Sequence, residues 1–517
     1  MAQQDEHVMY YYILLATILV VPLLLVKLMR PGKHSKNLPP GPWQLPVIGS
    51  LHHMVGALPH RAMRGLARRH GPLMLLRLGE IDFVVASSAS AAMEVLKTHD
   101  AMLASRPRTS TTKAMTRHGL GIVLAPKGEH WRQVRKLCVN ELLSARKVQS
   151  FRGIREAEAG KLVASLAVAS AASRHGQPVN VSSHLATYVS NAVVRAMVGD
   201  EITDRDAFFE CLDKGVTAAA GFSLTDLFPS SRLAHAFCGT TRRLEAALQG
   251  MRHCMNGVIE EHRARRSVDA CNGDENILDV LLRIQQTEQG APLNMGTVRA
   301  MITDLFGGGS ETTATTLKWA MAEMMRNPKV LCKAQAEVRA TLLGQSRVQE
   351  DDLSKLHYMQ LVIKETLRLH VPGPLLLPRE CQEPCRLLGY DIPKAAMVLV
   401  NVWAIARDTQ NWGPDAEEFR PERFEEPADS AGVGFRGQHF QFLPFGAGRR
   451  ICPGVNFSLA VMELALANLL FHFDWELPKG TVPDELDMTE AFGITARRKN
   501  DLMVHAYLRV PLPINNL

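Results

Sequence analysis

The sequence predicts a mainly α-helical protein with small β-sheets, preceded by one N-terminal transmembrane helix. Apolar residues make up 46% of the 517-residue chain and charged residues 21%, a composition that allows a large buried core. Helical periodicity dominates residues 151–262 and 295–326. Residues 73–79 and 83–86, in contrast, have the apolar runs and spacing of a β-hairpin.

The domain organisation follows from length and from the lack of a composition break. A chain of 517 residues suggests about three domains of ~150 residues, but composition does not change after the N-terminal segment. We therefore expect one large domain, residues 51–517. The net charge of +7 is modest and spread out, and no basic stripe alternates with aromatic residues, so a nucleic-acid partner is not expected.

The cysteines indicate the redox compartment. Nine cysteines are scattered along the chain, an odd number, which argues against a disulfide framework and for a reducing, cytosol-facing compartment. Cys381 and Cys385 are the only close pair in the sequence, and we interpret their spacing as incidental.

The N-terminal segment has the pattern of a membrane anchor. Residues 8–26 form a run of 19 residues without a charge, just long enough to cross ~30 Å of hydrocarbon as a helix. A cleaved signal peptide would carry positive charge before this run and small residues at its end, and neither is present. Four basic residues follow between positions 27 and 36, so the positive-inside rule places the rest of the chain in the cytosol. Residues 1–30 are predicted to be an uncleaved single-pass anchor in the endoplasmic reticulum membrane.

A hinge follows the anchor. Residues 31–50 combine basic side chains with the proline-rich stretch 38–46. Prolines at this density fix φ and exclude a helix, which favours a stiff, extended connection to the main domain.

A glycine-rich loop around one cysteine carries the clearest chemistry. Residues 445–454 read Phe-Gly-Ala-Gly-Arg-Arg-Ile-Cys-Pro-Gly, and an apolar helical run follows. The helix dipole and its unpaired N–H groups predict a lowered pKa for Cys452. One cysteine cannot form a tetrahedral zinc site alone, but it suits a haem iron, whose other ligands come from the macrocycle. A glycine-rich turn with an incidental buried cysteine is the alternative for this loop taken alone.

A second candidate site lies on a long helix. Residues 295–326 are expected to form one helix that ends at Asn327-Pro328. The run Gly307 to Gly309 costs roughly 1 kcal/mol per glycine relative to alanine, and the close approach of a flat ligand with local helix opening would offset that cost. Glu311 and Thr312 follow, an acid beside an alcohol, as proton delivery during oxygen activation requires. A kinked core helix with a polar face is the alternative.

These features resemble the cytochrome P450 family of haem-thiolate monooxygenases, and the resemblance covers essentially the whole chain. Phe445, Gly448, Arg450, Cys452 and Gly454 match the pattern Phe-x-x-Gly-x-Arg-x-Cys-x-Gly. The resemblance implies the cytochrome P450 fold and haem b with the Cys452 thiolate as its axial ligand.

The resemblance also assigns haem contacts on other elements. Trp131 and Arg135 match the Trp-x-x-x-Arg motif that meets a haem propionate in the family, with an ordinary Trp/Arg stack as the alternative. Arg379 would join Arg135 and Arg450 around the propionates. Gly308 and Gly309 match the oxygen-activation pattern, in which Glu311 replaces the commoner Asp.

Supporting residues and pocket residues follow by the same resemblance. Glu365 and Arg368 on one helix, with Arg423 downstream, would form a buried network that braces the cysteine loop. The irregular segment 106–126 would form part of the substrate pocket wall. Two further apolar loops would supply substrate contacts, namely Leu375, Leu376, Phe492 and Ile494.

The motifs look most like the plant microsomal specialised-metabolism (A-type) branch of the family. That branch implies a monooxygenase of the endoplasmic reticulum membrane that uses O2 and electrons from NADPH. The electrons would come from NADPH-cytochrome P450 reductase, which would dock near the cysteine face with help from Lys136 and Arg449.

The substrate class is open among several hypotheses. The apolar pocket candidates predict a hydrophobic small molecule, a diterpenoid or sesquiterpenoid, with a phenolic or amino-acid-derived metabolite as the alternative. An oxygen-independent haem-thiolate isomerase or dehydratase would typically lack the Glu311-Thr312 pair. A non-catalytic membrane-bound haem or lipid binder would need neither that pair nor Cys452.

Overall fold

The computed structural model describes residues 37–172, 177–199, 202, 204–219, 223–237, 239–268, 275–287, 293–425 and 432–511. Within these ranges the chain is mainly α-helical, as the sequence predicts. Its α-helices are α1 Pro59–His70, α2 Ala89–Met93, α3 Asp100–Leu103, α4 Ser110–Thr116, α5 Glu129–Leu137, α6 Ala145–Ser150, α7 Arg152–Ala172, α8 Val181–Val198, α9 Arg205–Ala219, α10 Leu224–Leu227, α11 Arg232–Phe237, α12 Thr240–Val268, α13 Ile277–Thr287, α14 Met295–Arg326, α15 Pro328–Thr341, α16 His357–Leu369, α17 Val402–Ile405, α18 Thr409–Trp412 and α19 Val455–His472.

The strands of the described ranges form three small sheets. They are β1 Leu73–Leu78, β2 Ile81–Ala86, β3 Val179–Asn180, β4 Arg379–Glu380, β5 Cys385–Leu387, β6 Tyr390–Ile392, β7 Met397–Val400, β8 Phe473–Glu476 and β9 Met503–Leu508. The largest sheet has the order β1-β2-β7-β4, the second β3-β9-β8 and the third β5-β6. The β1–β2 hairpin predicted from the sequence is present, and β2 pairs with β7 in parallel.

The helix α14 lies at the centre of the helical core, where it packs against α8, α9, α16 and α19. It begins at an Asn294 cap, whose side chain accepts a hydrogen bond from the Thr297 N–H at 2.8 Å. It ends before Pro328, which cannot continue a helix because it lacks an N–H. The predicted bounds of 295–326 agree with the structure.

Helix α19 follows the cysteine loop and is almost entirely apolar. Among the described residues it is the one helix whose length and hydropathy would suit a membrane span, but 72% of it is buried inside the protein. It is therefore a core helix. The predicted anchor, residues 1–30, lies outside the described residues, as do residues 31–36 of the predicted hinge.

The rest of the proline-rich stretch packs against the first sheet. The Pro40 carbonyl accepts a hydrogen bond from the Leu75 N–H at 2.9 Å. A Cβ at Gly41 would lie 2.0 Å from the Leu75 carbonyl oxygen, so glycine is required at this close approach.

Two segments differ from the sequence expectations. The segment 106–126, expected to be irregular, contains α4, a helix too short to show a clear period. Tertiary contacts hold it, because the Asp226 carboxylate accepts a hydrogen bond from the Thr111 N–H at 2.9 Å. The helix α12 continues to Val268, beyond the helical periodicity that the sequence shows for residues 151–262.

Candidate functional site

The cysteine loop is closed by its own backbone. The Cys452 N–H donates to the Phe445 carbonyl at 2.9 Å, and the Gly454 N–H donates to the Cys452 sulfur at 3.3 Å. The turn passes through positive φ at Gly446 and Gly448, a region that glycine favours. A Cβ at Gly448 would lie 2.2 Å from the Leu96 carbonyl oxygen, so the loop also needs glycine for close packing.

The environment of Cys452 corrects one expectation. Burial raises the pKa of its thiol, although the Gly454 N–H and the Arg135 charge act in the opposite direction. Desolvation therefore outweighs the helix N-terminus, and the predicted lowering of the pKa is wrong for the protein alone. A coordinating metal cation deprotonates such a thiol outright.

Two arginines bind the loop and its surroundings. The Arg135 guanidinium on α5 donates to the Ile451 carbonyl at 2.6 Å, beside Cys452. The Arg450 guanidinium lies over the Trp131 ring, 4.1 Å from the ring centroid. The same Arg450 group donates to three backbone carbonyls, those of Ala104, Ile122 and Ala125.

Two further charged residues, Asp100 and Arg106, complete this cluster with the predicted Arg379, and sequence reasoning missed these two. Arg379 donates to the Asp100 carboxylate at 2.7 Å, and both side chains are buried. Arg106 donates to the carbonyls of Leu377 and Pro378, each at 2.7 Å. Burial and the charges of Arg450 and Arg379 lower the pKa of Arg106. No local signal could have found these contacts, since Asp100 and Arg379 are 279 residues apart.

The cluster fits the carboxylates of a haem. Four guanidinium groups lie close together in this region: those of Arg106 and Arg379 are buried, and those of Arg135 and Arg450 are partly buried. Asp100 is the carboxylate partner of Arg379. Burial and the neighbouring Arg379 and Arg135 charges lower the pKa of Arg450 to about 9, so the arginines repel one another. The Trp131 N–H is buried and has no hydrogen-bond partner among the described residues. Two propionates would neutralise the excess charge and accept from such donors.

The glycine run on α14 has two packed members and one open face. A Cβ at Gly309 would contact Val193 of α8, and one at Gly307 would contact Leu212 of α9, whereas one at Gly308 would meet nothing within 4 Å. The helix is continuous through this run. The expected local opening of the helix is therefore wrong. Gly307 and Gly309 instead permit the close approach of α9 and α8, and Gly308 leaves an open face.

The acid–alcohol pair follows on the next turn. The Thr312 hydroxyl donates to the Gly308 carbonyl at 2.7 Å, which places Thr312 on the open face. Burial raises the pKa of Glu311, and the negative charge of Asp213 acts in the same direction, whereas Arg497 and a hydrogen bond from Thr495 lower it. Burial therefore favours the protonated form of Glu311 more than in a free glutamate, which suits a group that transfers protons.

A third residue on α14, missed by the sequence, connects this helix to the arginine cluster. Asp304 lies one turn before Gly308, and its carboxylate accepts from the Val123 N–H at 3.0 Å. Arg450 donates to the neighbouring Ile122 carbonyl at 3.1 Å. The loop around Ile122 therefore links the cysteine loop to the open face of α14.

The supporting network is brought together as the resemblance implies. The Arg368 guanidinium forms two hydrogen bonds with the Glu365 carboxylate, at 2.7 and 2.8 Å. The Arg423 Nε donates to the same carboxylate at 2.8 Å. All three side chains are buried. The other N–H groups of Arg368 and Arg423 donate to backbone carbonyls of the segment before the cysteine loop, namely those of Ala406, Trp412, Asp415, Ala416 and Glu418.

The four candidate substrate contacts lie in two loops. Leu376 has a positive φ of 51°, and its side chain lies 3.6 Å from the position of a Cβ at Gly446, against the cysteine loop. Leu375 packs near the first sheet. Phe492 and Ile494 are 59% and 37% exposed, so neither belongs to the packed core. Their contact with a substrate stays a prediction.

Comparison with known proteins identifies the family. The family model described as Cytochrome P450 matches residues 39–503. Desmethyl-deoxy-podophyllotoxin synthase of Sinopodophyllum hexandrum is 46% identical over 97% of this chain and 97% of its own. Dolabradiene monooxygenase of Zea mays is 45% identical over 96% and 97%, respectively. Premnaspirodiene oxygenase of Hyoscyamus muticus is 44% identical over 93% and 95%.

A solved structure supports the fold. A zebra fish cytochrome P450, determined with progesterone, aligns with a TM-score of 0.72 and 25% identity, and the match covers 87% of this chain and 100% of that one. The family implies haem held by a cysteine thiolate. The chain belongs to the cytochrome P450 family and is a monooxygenase similar to plant enzymes of specialised metabolism.

Proposed function

We propose that this protein is a membrane-anchored monooxygenase of the endoplasmic reticulum that hydroxylates or epoxidises a terpenoid, a diterpenoid or sesquiterpenoid. It uses O2 and electrons from NADPH that a separate reductase delivers. The observation that carries the proposal is the joint placement of the Cys452 loop, the buried arginine cluster and the Gly308–Thr312 face of α14 around the loop at Ile122.

The residues that would hold haem b divide into three groups. Cys452 would supply the axial thiolate, and Arg106, Arg135, Arg379, Arg450 and Trp131 would bind the propionates. When bound, the haem supplies the chemistry of O2 activation and oxygen transfer to carbon. Gly308 would allow the flat ring system to approach α14, because no atom lies within 4 Å of its Cβ position. Phe445, Gly448 and Gly454 shape the loop that presents the sulfur.

Glu311 and Thr312 would move protons on the distal side. The Thr312 hydroxyl is oriented by its bond to the Gly308 carbonyl, and a hydroxyl can donate and accept at once. The raised pKa of Glu311 suits a group that receives a proton from solvent and passes it inward. An oxygen-independent isomerase or dehydratase would not need this pair, which is why the monooxygenase assignment is preferred.

The substrate class rests on chemistry and on relatives. All four candidate contact side chains, Leu375, Leu376, Phe492 and Ile494, are apolar, which favours a ligand without charge. Two of the relatives are named for oxidation of dolabradiene and premnaspirodiene, both terpene hydrocarbons. The relative named for a podophyllotoxin product supports a phenolic substrate as the second candidate.

Electron delivery would occur at the cysteine face. Lys136 is exposed on α5, next to Arg135, which contacts the cysteine loop. The Arg449 side chain is 52% exposed although it pairs with Asp100. Two cations on this face suit an acidic docking surface on NADPH-cytochrome P450 reductase.

Exposed apolar side chains support contact with lipid. The Glu80 N–H donates to the Leu227 carbonyl at 2.8 Å, and the Gly79 N–H donates to the Ile48 carbonyl at 3.2 Å. These bonds join the segments 43–55 and 224–233 at the turn of the β1–β2 hairpin. Both segments carry large exposed apolar groups, Trp43, Val47, Val55, Leu224 and Leu233. A patch of this kind suits a membrane surface, where an apolar substrate would enter.

A product assay tests the proposal. Microsomes with this protein and a plant reductase would receive NADPH and a mixed panel of sesquiterpenes, diterpenes and phenolic compounds, and mass spectrometry would detect the gain of oxygen. Oxidation of a terpene by the wild type supports the terpenoid assignment. Oxidation of phenolic compounds alone would overturn that assignment while leaving the monooxygenase intact. The matched control is Cys452→Ser, which should form no product from any compound.

A further inference from the structure

Two thiols face each other between two long helices, α9 and α12. Cys211 lies on α9 and Cys254 on α12, and their sulfur atoms are 3.9 Å apart. Both side chains are partly buried. The residues are 43 positions apart in the chain, so their meeting is a consequence of helix packing.

The two helices approach closely at this point because each carries a glycine one turn from its cysteine. A Cβ at Gly250 would lie 3.4 Å from the Cys211 sulfur, and a Cβ at Gly215 would lie 3.8 Å from the Met251 sulfur. A disulfide needs Cβ atoms about 3.5–4.5 Å apart and an S–S length near 2.05 Å. The glycines allow the two helices to approach at this point, and bond formation requires the sulfur atoms to move together from 3.9 Å.

The residues next to Cys211 connect the thiol pair to the glycine run of α14. On α9, the Phe208 ring packs edge-on against Phe306 of α14, with centroids 4.8 Å apart. Leu212 lies 3.9 Å from the position of a Cβ at Gly307. The residues on either side of Cys211 therefore contact the glycine run, and α12 packs against both α9 and α14. A bulky ligand that approaches the run on its Gly307 side therefore meets Leu212 of α9.

We propose that Cys211 and Cys254 form a reversible disulfide that locks α9 to α12 and slows the entry of bulky ligands. The oxidant is a small-molecule disulfide of the glutathione class. One cysteine thiolate attacks a sulfur of oxidised glutathione, which forms a mixed disulfide and releases one glutathione thiolate. The second cysteine thiolate then displaces the other glutathione. Two protein thiols are oxidised, one glutathione disulfide is reduced to two thiols, and the two protons pass to the released glutathione.

The reversibility follows from the environment. Burial and the neighbouring thiol raise the pKa of Cys254, which disfavours its thiolate, the reactive form. In a reducing compartment such a bond forms only transiently, as a response to oxidation. The sequence interpretation, which saw Cys381 and Cys385 as the only close pair, could not detect a pair formed between helices.

The test uses the full-length protein with haem bound. Reduced protein is equilibrated with glutathione buffers of increasing oxidised fraction, free thiols are alkylated, and peptides are mapped without reduction. The expected result is a peptide joining Cys211 to Cys254 that increases with the oxidised fraction and disappears with dithiothreitol. Cys332→Ser, at an exposed thiol on α15, should leave the cross-link intact. Cys211→Ser and Cys254→Ser should each abolish it.

A binding rate tests the functional consequence. Clotrimazole, a bulky azole, is mixed with the oxidised and reduced proteins, and its association is followed by the shift of the haem absorption band. The rate should fall several-fold after oxidation, recover with dithiothreitol and stay unchanged in both cysteine variants. The proposal is overturned if both cysteines remain alkylated, if the only cross-link joins Cys381 to Cys385, or if the cross-link forms without slowing the azole.

Discussion

The Thr312 hydroxyl donates to the Gly308 carbonyl at 2.7 Å, one helical turn earlier on the same face of α14. This bond fixes the hydroxyl beside the one position of the glycine run at which a Cβ would meet no neighbour. The helix therefore presents an oriented alcohol next to an open backbone surface. Proton delivery needs an arrangement of this kind, and several expectations follow from it and from the buried charges around it.

Removal of the hydroxyl should uncouple electron use from product formation. Thr312→Ala is expected to lower product formation on the order of 10²-fold, the low end of what a positioned proton-transfer group contributes, while NADPH oxidation continues and releases hydrogen peroxide. Thr312→Ser keeps the donor and should retain most of the product. The measurement is the ratio of product to NADPH consumed, and equal ratios for the Ala variant and the wild type would refute the assigned role.

Asp304 should make stability depend on pH. Burial raises its pKa from 3.8 to about 6, although the backbone N–H groups of Val123 and Ile122 act in the opposite direction. Because the folded-state pKa lies above the unfolded one, this contribution to stability is present below pH ~4 and is lost as pH rises through ~6. Asp304→Asn keeps an acceptor for the Val123 N–H but does not ionise.

A comparison of the wild type with Asp304→Asn isolates the contribution of Asp304 ionisation to stability. Between pH ~4 and pH ~8 the wild type should lose roughly 2–3 kcal/mol of unfolding free energy relative to Asp304→Asn. Urea unfolding at a series of pH values provides the measurement. Parallel stability curves for wild type and variant would show that Asp304 does not titrate in this range.

The Glu365 network should contribute strongly to stability. Glu365→Gln leaves the Arg368 guanidinium buried without a carboxylate, and leaves Arg423 only its longer contact with the Asp415 carboxylate at 3.4 Å. Removing one partner of a buried ion pair typically costs ~3–5 kcal/mol. The unfolding free energy should fall by about this amount, and haem retention should fall with it. Arg386→Ala is the matched control, because Arg386 forms an exposed pair with Asp391 and its loss should change stability little. Similar losses in the two variants would contradict the bracing role.

Cys452 should determine the haem spectrum. Cys452→Ser is expected to remove the carbon monoxide band that marks a haem-thiolate in the reduced protein, since a serine oxygen does not replace the thiolate. Cys332→Ser, at an exposed position, should keep the band. Circular dichroism checks that both variants are folded. A normal band in Cys452→Ser would mean that another residue ligates the iron.

The sequence predicted those parts of the site whose residues are close in the chain. Local patterns of glycine, charge and helical period indicate three of its features: the cysteine loop, the Glu311-Thr312 pair and the bounds of α14. Each pattern lies within one short segment of the chain. The small sheets were predicted where a hairpin joins adjacent strands, as in β1 and β2. In these regions local propensity and tertiary structure agree.

The missed residues depend on contacts between distant segments. Asp304 binds the Val123 N–H across 181 positions, and Asp100 binds Arg379 across 279. Neither carboxylate has a sequence neighbour that would indicate a buried partner. The pKa of Cys452 was predicted wrongly for a related reason, because the helix N-terminus is visible in the sequence whereas the burial that outweighs it is not.

The origin of the oxygen atom in the product tests directly whether this protein is a monooxygenase. Microsomes with this protein, a reductase and NADPH would oxidise the terpene panel under ¹⁸O₂, and product masses would be compared with those under ordinary oxygen. We expect products that carry one ¹⁸O atom, with oxygen uptake that depends on both NADPH and substrate. Products isomeric with the substrate, formed without oxygen uptake, would contradict this expectation and would indicate an oxygen-independent haem-thiolate enzyme.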